Sequence, residues 1–189
     1  TPSVYGVYHI CCILACILLT ALLIVFFKNA KDDTFRRIAL IIWIIMVVFE
    51  VYKEVCFVGS SVKDGKVKWD YSWYAFPYQL CSTPLYLMPF VFLLKDCKLR
   101  DAVIAFLGTF SVFGGLVNYI YPEQVFVSQI GISIQTMVHH GLQLVFGIYA
   151  LVYVRKKLNF KFFLSSIIVF ICVLIVAVLL NEIFYYSFM

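Results

Sequence analysis

Long apolar stretches alternate with short polar ones along this chain. They run over 5–27, 38–58, 76–94, 102–121, 130–154 and 162–186, each near the ~20 residues a helix needs to cross the hydrocarbon core of a bilayer. The pattern predicts an all-α fold, a polytopic membrane helix bundle of six transmembrane helices, formed as a single domain over residues 1–189. When the spans are threaded alternately through a membrane, His9, Glu50, Gln79, Cys81, Asn118, His139, His140 and Asn181 all fall toward one side. The opposite halves of the spans are almost wholly apolar. Ionisable groups at membrane depth cost roughly 2.5–3.5 kcal/mol each on insertion scales and mark a site by default. A shared depth across helices predicts a single site.

Depth follows from a 1.5 Å rise per residue. Cys81 lies about 8 Å, Glu50 about 12 Å and His140 about 15 Å inside its span, whereas His9, Asn118 and Asn181 lie nearer the boundary. In the fifth span Ser133, Thr136, His140, Gln143 and Gly147 recur at steps of three and four and so share one stripe. His139 points about 100° away, on the side of Gln135, so the stripe favours His140 as the inward histidine. The alternative is an imidazole that merely bonds neighbouring helices.

In the fourth span Gly108, Ser111, Gly115 and Asn118 share a face. The first three are a small-residue packing seam, and Asn118 either joins it or lines the site. In the second span Lys53 reaches Glu50 at i,i+3, so Glu50 is either a site carboxylate or a paired charge.

The third span has the most unusual chemistry. In Phe76-Pro77-Tyr78-Gln79-Leu80-Cys81-Ser82-Thr83-Pro84, Pro77 suits a first helical turn. Cys81 then sits near a helix N-terminus, whose partial positive charge favours a thiolate. Pro84 has no N–H for the carbonyl of Leu80, which predicts a free polar backbone group beside Cys81. A cysteine and a histidine at similar depth on different helices can form a thiolate–imidazolium pair.

Composition sharpens the membrane assignment. The chain is 64% hydrophobic and 13% charged, outside the range of soluble globular domains. Its +5 net charge is no nucleic-acid signal, because the basic residues sit in short loops. Loops 28–37, 95–101 and 155–161 alternate onto one side and hold eleven of the Lys and Arg residues, whereas the opposite loops hold Lys63, Lys66 and Lys68. This bias places the first set in the cytoplasm and the N-terminus outside the cell membrane. The first span carries no Lys or Arg before residue 28 and reads as a retained helix, not a cleaved signal. Trp69, Tyr71, Trp73 and Tyr74 read as an outer interfacial belt. Seven cysteines without a CxxC pair give neither a disulfide framework nor a metal site. No nucleotide motif is visible, so no cofactor, metal or nucleic acid is expected, and no obligate protein partner is evident.

The run FPYQLCSTPLYLMPF (76–90), then RDAVIAFLGTFSVFGG, then SIQTMVHHGL (133–142) resembles the bacterial YwaF family of integral membrane proteins. That family is distantly related to the animal transmembrane protein 164, an acyltransferase that moves fatty acyl chains between phospholipids with a cysteine and a histidine. The likeness runs from His9 through Glu50 to Asn181. It implies a further span after the Asn181 region, and it matches the family's cysteine to Cys81 and its His-Gly histidine to His140.

The activity implied by the resemblance is acyl transfer between phospholipid and lysophospholipid. Cys81 would form a thioester and His140 would act as base; Glu50 or Asn118 would orient the imidazole, and Gln79 or a backbone N–H would hold the oxyanion. Gln143, His139, His9 and Asn181 would line the same chamber. From the polar layer alone, a second reading stays open: a small-solute transporter or substrate-binding membrane subunit using the same cavity. Against it stand the apolar cytoplasmic half and the lack of a repeated pair of Gly/Pro-broken spans.

Overall fold

Proline and charge set the helix boundaries. The computed structural model describes residues 1–59, 62, 63, 66, 67 and 76–188. Helix α1 is Val7–Phe27 and α2 is Asp32–Gly59. The second helix starts at Asp32, ahead of the apolar run at 38, because Asp32 and Asp33 occupy its first turn, where the helix dipole favours carboxylates. A two-residue antiparallel pairing of β1 (Val62–Lys63) with β2 (Lys66–Val67) follows. The aromatic group at 69–74, expected to form an interfacial belt, lies outside the described residues.

The third helical segment begins later than predicted. Gln79 is extended, and a 3-10 turn, Leu80–Ser82, leads into α3 (Thr83–Leu93). Pro84, not Pro77, occupies the first turn of the helix; a proline disfavours helix in the residue before it, which here is Phe76. The continuous helix Leu80–Leu93 is about 21 Å long at 1.5 Å per residue, short of the ~30 Å hydrocarbon core.

The two helix-internal prolines strip donors from the carbonyls four residues back, and side chains replace them. The Leu80 carbonyl, expected to be free, accepts the Thr83 hydroxyl at 2.7 Å as well as the Thr83 N–H. Opposite Pro89, the Leu85 carbonyl accepts the indole N–H of Trp43 at 2.7 Å. Trp43 on α2 therefore completes the hydrogen bonding of α3. Trp43→Phe should lower stability by about 1–2 kcal/mol, the cost of an unsatisfied buried carbonyl. Adding Pro89→Ala should recover part of that loss by supplying an N–H at residue 89. Thermal unfolding of the two variants in detergent checks both statements. Arg36 closes the other end of α3, donating to the carbonyls of Phe92 (2.7 Å) and Leu93 (3.3 Å).

Helices α4 (Lys98–Phe106) and α5 (Val112–Ile120) are one rod broken by a π-turn, Leu107–Ser111. Helix α6 is Ile130–Tyr153 and α7 is Phe160–Phe188. The described residues are thus all-α apart from the β1–β2 pairing. Among them the helices form six segments, of which three, Val7–Phe27, Lys98–Ile120 and Phe160–Phe184, are long and apolar enough to cross a bilayer. Helices α2 and α6 have the length, but Glu50, Lys53 and Glu54 in one, and Gln135, His139, His140 and Gln143 in the other, interrupt their apolar surface.

Helix α6 is the hub. It packs against α1, α2 and α5, while α3 lies on α2 and α7 on α4. It is buried on almost every side between Ile132 and Ala150. Helices α1 and α7 instead leave most of their apolar side chains exposed, among them Leu14, Val25, Phe26, Ile168 and Val178, as lipid-facing outer helices do. Phe35, Ala39, Met46, Met88, Val91, Phe106, Phe146 and Tyr149 fill the core toward the basic loops. The predicted packing seam holds: an added Cβ at Gly108 would meet Leu151, and one at Gly115 the His140 carbonyl at 3.0 Å.

Candidate functional site

The late start of the third helical segment puts Cys81 in its opening 3-10 turn, half-buried and facing α2 and α6. There Glu50, Gln79, Cys81, His139 and His140 line one cavity of about 110 Å³, with Lys53, Ser82, Gln135 and Thr136 beside them. Val125, Val127 and Ile132 form its apolar wall. Five of the residues singled out from the sequence therefore converge. The Cys81 thiol donates toward the Gln79 amide oxygen at 3.8 Å.

The two histidines are held differently. His140 Nδ1–H donates to the Thr136 carbonyl one turn back at 2.8 Å. That bond fixes the neutral tautomer with its proton on Nδ1. Nε2 is then left with a lone pair, buried in the cavity wall and without a hydrogen-bond partner among the described residues. His139 Nε2–H donates to the Cys81 carbonyl at 3.0 Å, and its Nδ1 lies 4.0 Å from Glu50 Oε2. The two rings are 5.5 Å apart, tilted by 70°.

Helical spacing turns His139 about 100° from His140, yet both line the cavity: neighbouring helices cover α6 on almost every side, and adjacent residues meet one chamber from two sides. The bond from His139 to the Cys81 carbonyl ties the turn that carries Cys81 to α6.

Glu50 is a paired charge that also lines the cavity. One oxygen pairs with Lys53 at 2.5 Å, and the other accepts from Gln135 at 3.3 Å and faces His139. It stands beside His139, so the orienting group for His140 is the Thr136 carbonyl, four residues back on its own helix. Periodicity gives Gln135 and Thr136 a place on α6 but does not identify these bonds, since the first crosses to α2 and the second is made by backbone.

The other four candidates lie elsewhere. His9 is fully buried, accepts the Tyr5 N–H at 3.1 Å on Nδ1 and donates from Nε2 to the Tyr119 carbonyl at 3.0 Å. Both ring nitrogens are thus used, Nδ1 within the turn that leads into α1 and Nε2 in joining α1 to α5. Asn118 donates to the Gly114 carbonyl of its own helix at 3.0 Å. Gln143 donates to the Ser111 carbonyl of the π-turn at 2.6 Å. Asn181 lines a separate groove of about 260 Å³ between α7 and residues 76–79. Gln79 borders that groove as well as the Cys81 cavity. Depth along a helix is shared by all these residues, but azimuth separates them.

Among the described residues no group of His, Cys, Asp and Glu side chains is placed to hold a metal. The model of the TMEM164 family matches residues 4–189, and the chain belongs to that family. No curated protein and no solved structure matches it.

Proposed function

We propose that this member of the TMEM164 family is an integral membrane acyltransferase that moves a fatty acyl chain between phospholipid and lysophospholipid through a thioester on Cys81. One observation carries the reading: a thiol and an imidazole with a free, buried lone pair line the same cavity. The sequence resemblance to the YwaF family supports it.

The chemistry balances without a cofactor. His140 Nε2 takes the Cys81 thiol proton, and the thiolate sulfur attacks the ester carbonyl carbon of a phospholipid. The oxyanion is held by the Gln79 amide, rotated to donate. The ester C–O bond breaks, the leaving lysophospholipid oxygen takes the proton from His140, and the acyl group stays on sulfur. A second lysophospholipid hydroxyl then gives its proton to His140 and attacks the thioester. The C–S bond breaks and Cys81 regains its proton. A chamber of about 110 Å³ admits an ester group and little water, which favours transfer over hydrolysis. Lipids are the partners in this reading. The loop-charge bias puts 28–37, 95–101 and 155–161 in the cytoplasm and the N-terminus outside the cell membrane.

Intact-mass analysis of the protein after incubation with a phosphatidylcholine of defined acyl chains tests this. The expected result is an increase of one acyl group, mapped to Cys81 and strongly reduced in His140→Gln. A protein that carries no adduct and instead retains a water-soluble ligand overturns the proposal in favour of solute binding.

A further inference from the structure

A polar cavity lies at the opposite end of the bundle from Cys81, where α1, α4 and α6 meet the basic loops. It has a volume of about 580 Å³, within the ~300–1,000 Å³ usual for small-molecule sites. Lys28, Arg100, Arg155, Lys156 and Lys157 line it, with Asp32, Asp96 and Asp101. The three carboxylates are already matched. Lys157 pairs with both Asp96 and Asp101, and its hydrogen bond holds the Asp96 carboxyl below the usual carboxylate range. Asp32 pairs with Arg100 Nη2 at 2.6 Å.

The remaining charge is uncompensated. Lys28 and Lys156 are exposed and have no ion-pair partner among the described residues. Arg155 donates only to neutral oxygens, the carbonyls of Lys28 and Val152 and the Asn29 amide. Arg100 is 3% exposed, and its buried Nε has no hydrogen-bond partner among the described residues. A buried guanidinium N–H costs free energy unless an acceptor reaches it. Its other face is occupied, since the guanidinium carbon stands 5.6 Å from the centre of the Phe35 ring. A concave site with surplus cations and an unsatisfied arginine donor fits a small multivalent oxyanion, and arginine with lysine is the usual pairing for phosphate.

We propose that this basic-end cavity binds a phosphate-bearing anion, held by Arg100, Lys28, Arg155 and Lys156. The inference is independent of the chemistry at Cys81. The same phosphate chemistry can come from the headgroup of an anionic lipid at the membrane surface or from a soluble phosphate, and two measurements on the purified full chain separate these sources. In the first, native mass spectrometry follows lipid retention from an equimolar mixture of phosphatidylglycerol and phosphatidylcholine. In the second, thermal unfolding in detergent is followed with inorganic phosphate at constant ionic strength.

Lys28→Gln with Lys156→Gln changes only exposed side chains. It should weaken whichever binding is observed about tenfold or more, as expected for two cations removed from an anion site. Lys95→Gln with Lys161→Gln removes the same charge from this end without touching the cavity and should leave binding unchanged. Preferential retention of phosphatidylglycerol assigns a lipid headgroup; stabilisation by inorganic phosphate without lipid preference assigns a soluble ligand. The proposal is overturned if neither ligand is preferred, if the Lys28/Lys156 variant binds like wild type, or if the Lys95/Lys161 control loses as much.

Discussion

Cys81→Ala should abolish acyl exchange in proteoliposomes while leaving the bundle folded. The thiol is the only part of this side chain that takes part in the proposed reaction, and losing a covalent nucleophile typically costs on the order of a thousandfold or more in rate. Stability should change little. The Sγ contact to Gln79 is long, at 3.8 Å, and the tie that matters structurally, His139 to the backbone carbonyl of residue 81, survives in alanine. Cys16→Ala provides the contrast: its thiol donates to the Gly141 carbonyl at 3.7 Å, away from the cavity, so transfer should persist. The assay follows an isotopically labelled acyl chain from a phosphatidyl donor to a lysophospholipid, with thermal unfolding as the check on folding. Exchange by Cys81→Ala at the wild-type rate rejects the thioester mechanism outright.

The largest expected loss of stability comes from Gly147→Ala. A Cβ at this position would stand 2.5 Å from the Leu107 carbonyl oxygen and 2.3 Å from a Val112 methyl, the two ends of the π-turn between α4 and α5. The oxygen belongs to backbone, so no rotamer change relieves the contact; the rod must move away from α6. Overpacking of this kind costs about 1–3 kcal/mol or more, against a helix-propensity gain of about 1 kcal/mol for replacing glycine.

Two neighbouring glycines calibrate the effect. At Gly114 the nearest atom to an added Cβ is 3.5 Å away, in the Gln143 side chain, and at Gly115 it is the His140 carbonyl at 3.0 Å. Unfolding midpoints should therefore fall in the order Gly114→Ala, Gly115→Ala, Gly147→Ala, with Gly114→Ala at or above wild type. Equal midpoints for Gly114→Ala and Gly147→Ala would show that α6 and the π-turn are not tightly packed.

These contacts bear on what a linear reading of the chain reveals. Small residues on one face of the fourth span are visible by spacing, and the packing role of Gly108 and Gly115 follows. The π-turn leaves no comparable mark, and spacing does not show that Asn118 bonds to the Gly114 carbonyl of its own helix. Similarly, Phe76-Pro77 has the composition of a span start, yet the extended backbone at Gln79 delays the helix until Leu80. Periodicity cannot rank two prolines that each suit a first turn.

Sequence alone determined the quantities that are local or additive. Apolar content, loop charge and the order of the polar residues along each span all follow from counting residues. Tertiary structure decided the quantities that depend on rotation and neighbours. It brought His139 as well as His140 to Cys81, kept His9, Asn118, Gln143 and Asn181 apart from them, and left Nε of Arg100 without an acceptor among the described residues. Depth is a property of one helix, whereas facing the same space is a property of several. Only their packing around α6 fixes which side chains of equal depth meet.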